Sequence, residues 1–370
     1  MAKNPLQRLV ELGQSPWYDY ITRDLLRSGE LRRLIEQDGL RGMTSNPTIF
    51  EKAVAGSDLY DDDIRRLSAS GLSPAGIFES LAVADVQAAC DIFRPVYDAT
   101  DGGDGLVSLE VSPTLANDTE ATIAEAERLW AAVGRPNAMI KIPGTAEGLP
   151  AISHCLADGV NVNVTLLFAV ERYREVIDAF LAGLEQRARR GLPINRIQSV
   201  ASFFVSRLDG KVDPVLERAA DPSLPPRGSA AIANACQAYA VFQAAFNGER
   251  WKKLEAQGAR VQRPLWASTS TKDARLSDVH YVEALIAPHT VNTLPPATFA
   301  AYRDHGHPEV RIQQGIAAAP GILSGLMRAG IDLRAVTRAL EVEGVASFAA
   351  SYASLLAGIE AKAGALAGRS

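Results

Sequence analysis

"NAMIKIPGTAEG" (residues 137–148) sets the scale on which the rest of the chain is read. Ala138–Pro143 is a strand-length apolar run, and it breaks at Pro143-Gly144. One lysine, Lys141, sits inside it between Ile140 and Ile142. Lysine is rarely interior unless it is paired or put to use. The run therefore raises two questions at once: what sheet it belongs to, and what an amine is doing in it.

Runs of the same kind recur on both sides. Before it come "SPWYDYI" (15–21), "LRGMTSN" (40–46) and "GLVSLEVS" (105–112). After it come "GVNVNVTLLF" (159–168), "IQSVASFFV" (197–205), "RPLWAST" (263–269) and "PHTVNT" (288–293). Helical patterns separate them, such as "TEATIAEAERLWAAVG" (119–134) and the stretch 169–191. In the latter, Val170, Tyr173, Val176, Ile177, Phe180, Leu181 and Leu184 recur at helical spacing. Strands alternating with helices imply parallel pairing through right-handed crossovers. Eight of them predict an α/β fold closed as a (β/α)8 TIM barrel. The rival is an open doubly wound sheet, but no GxGxxG opens a helix after the first strand, and "DGGDG" (101–105) precedes a strand instead.

The expected organisation is a single barrel domain over residues 1–370, with a helical insertion at about 57–99. A polar, Pro-rich loop, "DPSLPPRGS" (221–229), follows the sixth strand. From about residue 296 the chain reads as wholly helical, a C-terminal extension. Its last helix carries Val345, Phe348, Tyr352, Leu356 and Ile359 on one face, which predicts packing on the barrel's outside or across its mouth.

Composition narrows the function. A 47% hydrophobic and 22% charged chain of 370 residues is an ordinary globular composition. A net charge of −5 and a pI near 5.7 argue against a general nucleic-acid binder. An anionic substrate would need a local cluster of cations. Cys90, Cys155 and Cys236 show no CxxC spacing and fit free thiols in a reducing compartment. None of the five histidines forms an HExxH, and His305-Gly-His307-Pro reads as a turn. The N-terminal stretch lacks the apolar core of a signal peptide. "AAIANACQAYAVFQAAF" (230–246) carries Asn234, Gln237 and Gln243 and reads as a buried helix. A cytoplasmic protein without metal or membrane is expected.

Barrel chemistry gathers at the C-terminal ends of the strands. There the sequence offers Asp19, Thr44 and Asn46, Glu110, Lys141, Asn163 and Thr165, Ser202 and Arg207, and Ser268 with Ser270. Buried polar groups must find partners, so convergence on one pocket is the economical reading. Burial disfavours an ammonium, and a free amine can attack a ketone to form a Schiff base. The plain alternative is a Lys141–Glu110 ion pair between neighbouring strands. Glu110 and Asp19, in different settings, suit a division of proton-transfer labour, or else each pairs with a cation. Alternation puts Asn161, Asn163 and Thr165 on one side of a strand, suited to sugar hydroxyls or to bonds between strand ends. Ser268, Ser270 and Lys272 in "ASTSTKD" (267–273), with Arg207, suit a phosphate; a helix-capping run reads the same way.

These residues sit in stretches that resemble the transaldolase family. "TSNPTIF", "MIKIPGT", "VNVNVTLLF", "SVASFFVSRLDGKVD", "LWASTSTKD" and "YVEALIAPHTVNTLPPAT" look like its motifs, in order, over roughly residues 15 to 300. The terminal "LEVEGVASFAASYASLLAGIEAK" is similar to the family's last helix. The resemblance implies a class I aldol transferase that uses neither metal nor organic cofactor. It would move a dihydroxyacetone unit from sedoheptulose 7-phosphate or fructose 6-phosphate to glyceraldehyde 3-phosphate or erythrose 4-phosphate, in the non-oxidative pentose phosphate pathway. It implies Lys141 as the Schiff-base lysine and Glu110, with Thr165, as handling a catalytic water. Asp19 matches the base for the C4 hydroxyl, with Asp24 as the alternative. Asn46 and Asn163 match residues that hold the dihydroxyacetone hydroxyls, with Thr44 and Ser202 nearby. Arg207 matches the phosphate arginine, assisted by Ser268. Many transaldolases have a second arginine after the seventh strand; here Ser270 and Lys272 stand in its loop. The remaining alternatives are an aldolase that releases free dihydroxyacetone and a sugar-phosphate-binding barrel without catalysis.

Overall fold

The computed structural model describes residues 4–219 and 221–368; the ends of the chain and residue 220 lie outside the described residues. Its strands are β1 (Gln14–Asp19), β2 (Gly42–Thr44), β3 (Leu106–Glu110), β4 (Ala138–Pro143), β5 (Val162–Leu167), β6 (Ser199–Phe204), β7 (Arg263–Ala267) and β8 (Thr290–Leu294). They pair in chain order, all parallel, and β8 closes on β1. Closure excludes the open sheet. The expected strands are found, most of them trimmed at their ends, because the flanking residues have other work. Asn46, for instance, ends the β2 run by capping the Pro47–Ala55 helix, its side chain accepting the Ile49 N–H.

Helices fill the crossovers and cover the outer face of the sheet. The Thr119–Val133 helix starts on Asp118, whose carboxylate accepts the Ala121 N–H, and stops at Gly134 in the left-handed region. The Val170–Arg189 helix buries Tyr173, Val176, Ile177, Phe180, Leu181 and Leu184, the stripe read from the sequence. Between β2 and β3 stand the Pro47–Ala55, Asp61–Ala69 and Pro74–Ala99 helices.

Polar side chains occupy much of the barrel interior, and many of them tie strands together far from the mouth. Gln14 donates to Leu285 O and Thr290 Oγ1, and Gln262 donates to Ser199 Oγ. Asn161 donates to Pro136 O and Ala138 O and accepts the Gln198 N–H. For Asn161 the bond between strand ends is therefore what the fold uses.

The C-terminal helix (Leu333–Ala367) runs against the Pro47–Ala55, Asp61–Ala69 and Pro74–Ala99 helices. It buries Leu340, Phe348, Leu355 and Ile359; Leu355 rather than Leu356 faces fully inward, since Leu356 is half-buried. At Gly344 it closes on the end of β5, where a Cβ would stand 3.0 Å from Leu166 Cδ2. The helix therefore crosses the mouth. By length and composition it, rather than residues 230–246, has the apolar run that a membrane span would need.

Candidate active site

Register assembles the site. Glu110 pairs with Lys141, and Lys141 with Asn163, so three neighbouring strands bring these residues to one level. Asp19 pairs with Thr44 across β1 and β2. Above them opens a cavity of about 400 Å³. Asp19, Thr44, Asn46, Lys141, Thr165, Ser202, Arg207, Ser268, Ser270 and Lys272 all line it. Ten of the twelve expected site residues thus line one cavity. Glu110 and Asn163 lie just behind it.

Lys141 is 4% exposed. Its Nζ stands 3.0 Å from Glu110 Oε2 and donates to Ser45 O at 3.0 Å. Ser45 is itself fixed, its hydroxyl donating to Ser108 O. The ion pair that sequence offered as the plain alternative is present, and it lies at the floor of the cavity. Glu110 Oε2 is engaged by that ammonium, whereas Glu110 Oε1 and Thr165 Oγ1 have no hydrogen-bond partner among the described residues. Burial pushes the Glu110 carboxyl above its ordinary range, opposed by Lys141 and reinforced by Asp19.

Asp19 accepts the Thr44 hydroxyl at 2.6 Å, and Thr44 meets Thr293 at 2.6 Å. It is half-buried at the end of β1 and lines the cavity. Burial raises its carboxyl too, against the lowering influence of Lys141, the Thr44 bond and Arg207. Asp24 is exposed on the helix after β1 and does not line the cavity, so the alternative base is set aside on position. Asn163 is fully buried, donating to Ser108 Oγ at 3.0 Å and accepting from Ser202 at 2.7 Å. An amide has two N–H groups and two lone pairs, so one of each is left over.

The opposite wall is cationic. Arg207 lies over the Phe204 ring at 5.0 Å and the Phe348 ring at 5.9 Å. Burial lowers its pKa, with Asp19 working the other way. Ser268 adopts φ 54, a strained angle for a side-chain-bearing residue, and its hydroxyl meets Ser206 at 3.0 Å. Lys272 is exposed and has no carboxylate partner among the described residues. Sequence reasoning missed two contributors. Lys52, also without a carboxylate partner, reaches the cavity from the Pro47–Ala55 helix. Its signal was helical spacing, since it lies one turn beyond Thr48 and Ile49, which line the same wall. Phe348 enters from the C-terminal helix, and its ring stands 5.9 Å from Lys141 Nζ. Its place on the apolar face was read, but its destination was not.

A buried amine beside a carboxylate, a second carboxylate nearby and a rim of cations can form an imine, move protons and hold a phosphorylated carbonyl compound. The comparisons agree. Residues 16–359 match the family described as Transaldolase/Fructose-6-phosphate aldolase. The chain is 48% identical to Transaldolase 2 of a Nostoc species, covering 98% of each protein. It is 51% identical to a transaldolase of Acidothermus cellulolyticus, over 96% of each. With a transaldolase of Thermobifida fusca it shares 50% identity, over 95% of this chain and 96% of that one.

Proposed function

The chain belongs to the transaldolase/fructose-6-phosphate aldolase family, and from that premise we propose how its own residues carry the transfer. It is a transferase of the transaldolase kind, and its substrates are sugar phosphates. In this reading Lys141 attacks the ketose carbonyl. Glu110 supplies and recovers the proton as carbinolamine loses water, and Thr165 holds that water. Asp19 takes the proton of the C4 hydroxyl, the C3–C4 bond breaks, and its electrons pass into the iminium. The enamine left on Lys141 then attacks the acceptor aldehyde, Asp19 returns its proton, and hydrolysis frees the new ketose.

The supporting observation is the Lys141–Glu110 contact of 3.0 Å at the floor of the cavity that Asp19 also lines. Asn46 spends its side-chain oxygen on the helix cap and keeps its N–H₂ for a hydroxyl of the dihydroxyacetone unit. Asn163 offers the same unit its spare amide groups, with Thr44 and Ser202 beside it. Arg207, Ser268, Ser270 and Lys272 hold the phosphate, and Lys52 adds a further cation. We read the whole chain as one catalytic unit working in the cytoplasm, alone or as a homodimer, with no part for nucleic acid or membrane. Dihydroxyacetone stays bound until an acceptor arrives.

Borohydride added with fructose 6-phosphate should leave a reduced adduct on Lys141, and Lys141→Ala should abolish turnover while keeping the fold. An unmodified Lys141 peptide in the mass spectrum rejects the mechanism. Turnover of fructose 6-phosphate that proceeds equally well without erythrose 4-phosphate would instead point to the aldolase.

A further inference from the structure

Behind Lys141 lies a second, much smaller chamber, with about 30 Å³ of space open to water-sized molecules. That is room for about two waters. It sits where the exit of β3 meets the Pro74–Ala99, Thr119–Val133 and C-terminal helices. Its inner wall includes Glu110 and Ser45, the two residues whose oxygens hold the Lys141 ammonium. Asn46 lines both this chamber and the large cavity, so the two are separated by a single layer of residues. On the outer side stand Glu125, which accepts the Ser112 N–H at 2.9 Å, and Tyr352.

The chemistry beside this wall makes and consumes water. On loading, a ketone carbonyl and a lysine ammonium become an iminium and one water: the C–N bond forms, the C–O bond breaks, and the oxygen leaves with two hydrogens from nitrogen by way of Glu110. On release the same balance runs backwards. Each turnover therefore delivers a water and later needs one, at a moment when a sugar phosphate fills the mouth beneath Phe348. Glu110 Oε1 is buried and lacks a hydrogen-bond partner among the described residues, the other oxygen being engaged by the Lys141 ammonium. Buried carboxylates are costly in that condition, and water is the partner that this wall can admit.

We propose that this chamber is a water vestibule for the Schiff-base lysine, through which water exchanges at Glu110 without passing the occupied mouth. The proposal rests on Lys141 forming the imine. Its test is the wash-in of ¹⁸O from H₂¹⁸O into the C2 carbonyl of fructose 6-phosphate, measured per imine trapped by borohydride. Ala82, 1% exposed and on the chamber wall, is outside the catalytic machinery. Ala82→Leu fills the chamber; Ala82→Val serves where the leucine variant does not fold. The expected result is a several-fold fall in wash-in per trapped imine, with KM unchanged, while Leu129→Ala, which widens the chamber, leaves wash-in at or above the parent value. Unchanged wash-in in a folded filling variant overturns the proposal, as does an equal fall in both variants. No wash-in in a parent protein whose imine is trapped likewise overturns the proposal, whereas absence of any borohydride-trapped adduct rejects the imine itself, a separate failure.

Discussion

Two carboxyls, Asp19 and Glu110, and three cations, Arg207, Lys52 and Lys272, decide how the site behaves at the scale of single residues. The base role proposed for Asp19 needs the ionised form, and burial lifts its pKa, so the acid limb of kcat/KM should fall above that of an exposed aspartate. The Thr44 hydroxyl lowers that pKa by bonding the charged form. Thr44→Val, of similar shape, should therefore move the acid limb to higher pH; a limb that stays where it was removes Asp19 from the role. Lys52 gives a second prediction. Losing one exposed, charge-assisted contact to phosphate should raise KM about tenfold for phosphorylated substrates with kcat retained. A matched rise for an unphosphorylated ketose would show that Lys52 serves something other than phosphate. Lys141, Glu110 and Asp19 were legible in sequence because each interrupts an apolar run. Lys52 was not, since a lysine on a polar helix turn looks like any solvated cation until the helix is placed. For Asn163 the sequence left hydroxyl binding and bonds between strands both open, and its amide ties β3, β5 and β6.

At the scale of elements, the alternation of short apolar runs with helical stretches carried the fold, helped by Pro or a capping residue at the ends of β2, β3, β4 and β8. By contrast, β5 passes through Phe168-Ala169 into its helix with neither. What sequence could not supply was direction in space for the last helix: an apolar face says that a helix packs, and its partner decides where. Close contacts between elements fix that. Gly148 opens the Gly148–Asp158 helix so tightly against the end of β4 that a Cβ would lie 2.0 Å from Pro143 O. Backbone cannot step aside as a side-chain tip can, so Gly148→Ala must move strand exit or helix. The expected cost is about 1–3 kcal/mol, with kcat reduced because Lys141 lies two residues before Pro143. Chemical unfolding and kcat of the same variant check both. A variant as stable and active as the parent would mean that this turn does not hold β4 in place.

For the molecule as a whole, the cationic side of the cavity is held by a buried acid whose charge should set how stability responds to pH. Asp209, 2% exposed, follows Arg207 by two residues. It accepts the Ala231 N–H and the Tyr281 hydroxyl, both at 2.9 Å, and so binds the Ser206–Ala219 helix to the starts of the Ala230–Ala245 and His280–Ala284 helices. Burial pushes its carboxyl up to about 7 from 3.8, against those hydrogen bonds and with help from Asp213. The folded state thus binds the proton more tightly than the unfolded chain does. The stability this contributes is fully present below pH 3.8 and is lost as pH rises through about 7. A rise of that size, carried through in full, is worth about 4 kcal/mol. Asp209→Asn keeps an acceptor for Ala231, turns the Tyr281 bond round so that the amide N–H₂ donates to the tyrosine oxygen, and carries no charge. Relative to this variant, the parent protein should lose unfolding free energy between pH 5 and pH 8, as read from urea midpoints at the two pH values. An equal gap at both would show that Asp209 stays charged throughout, and that the junction of these three helices draws its strength from the ion rather than from the acid.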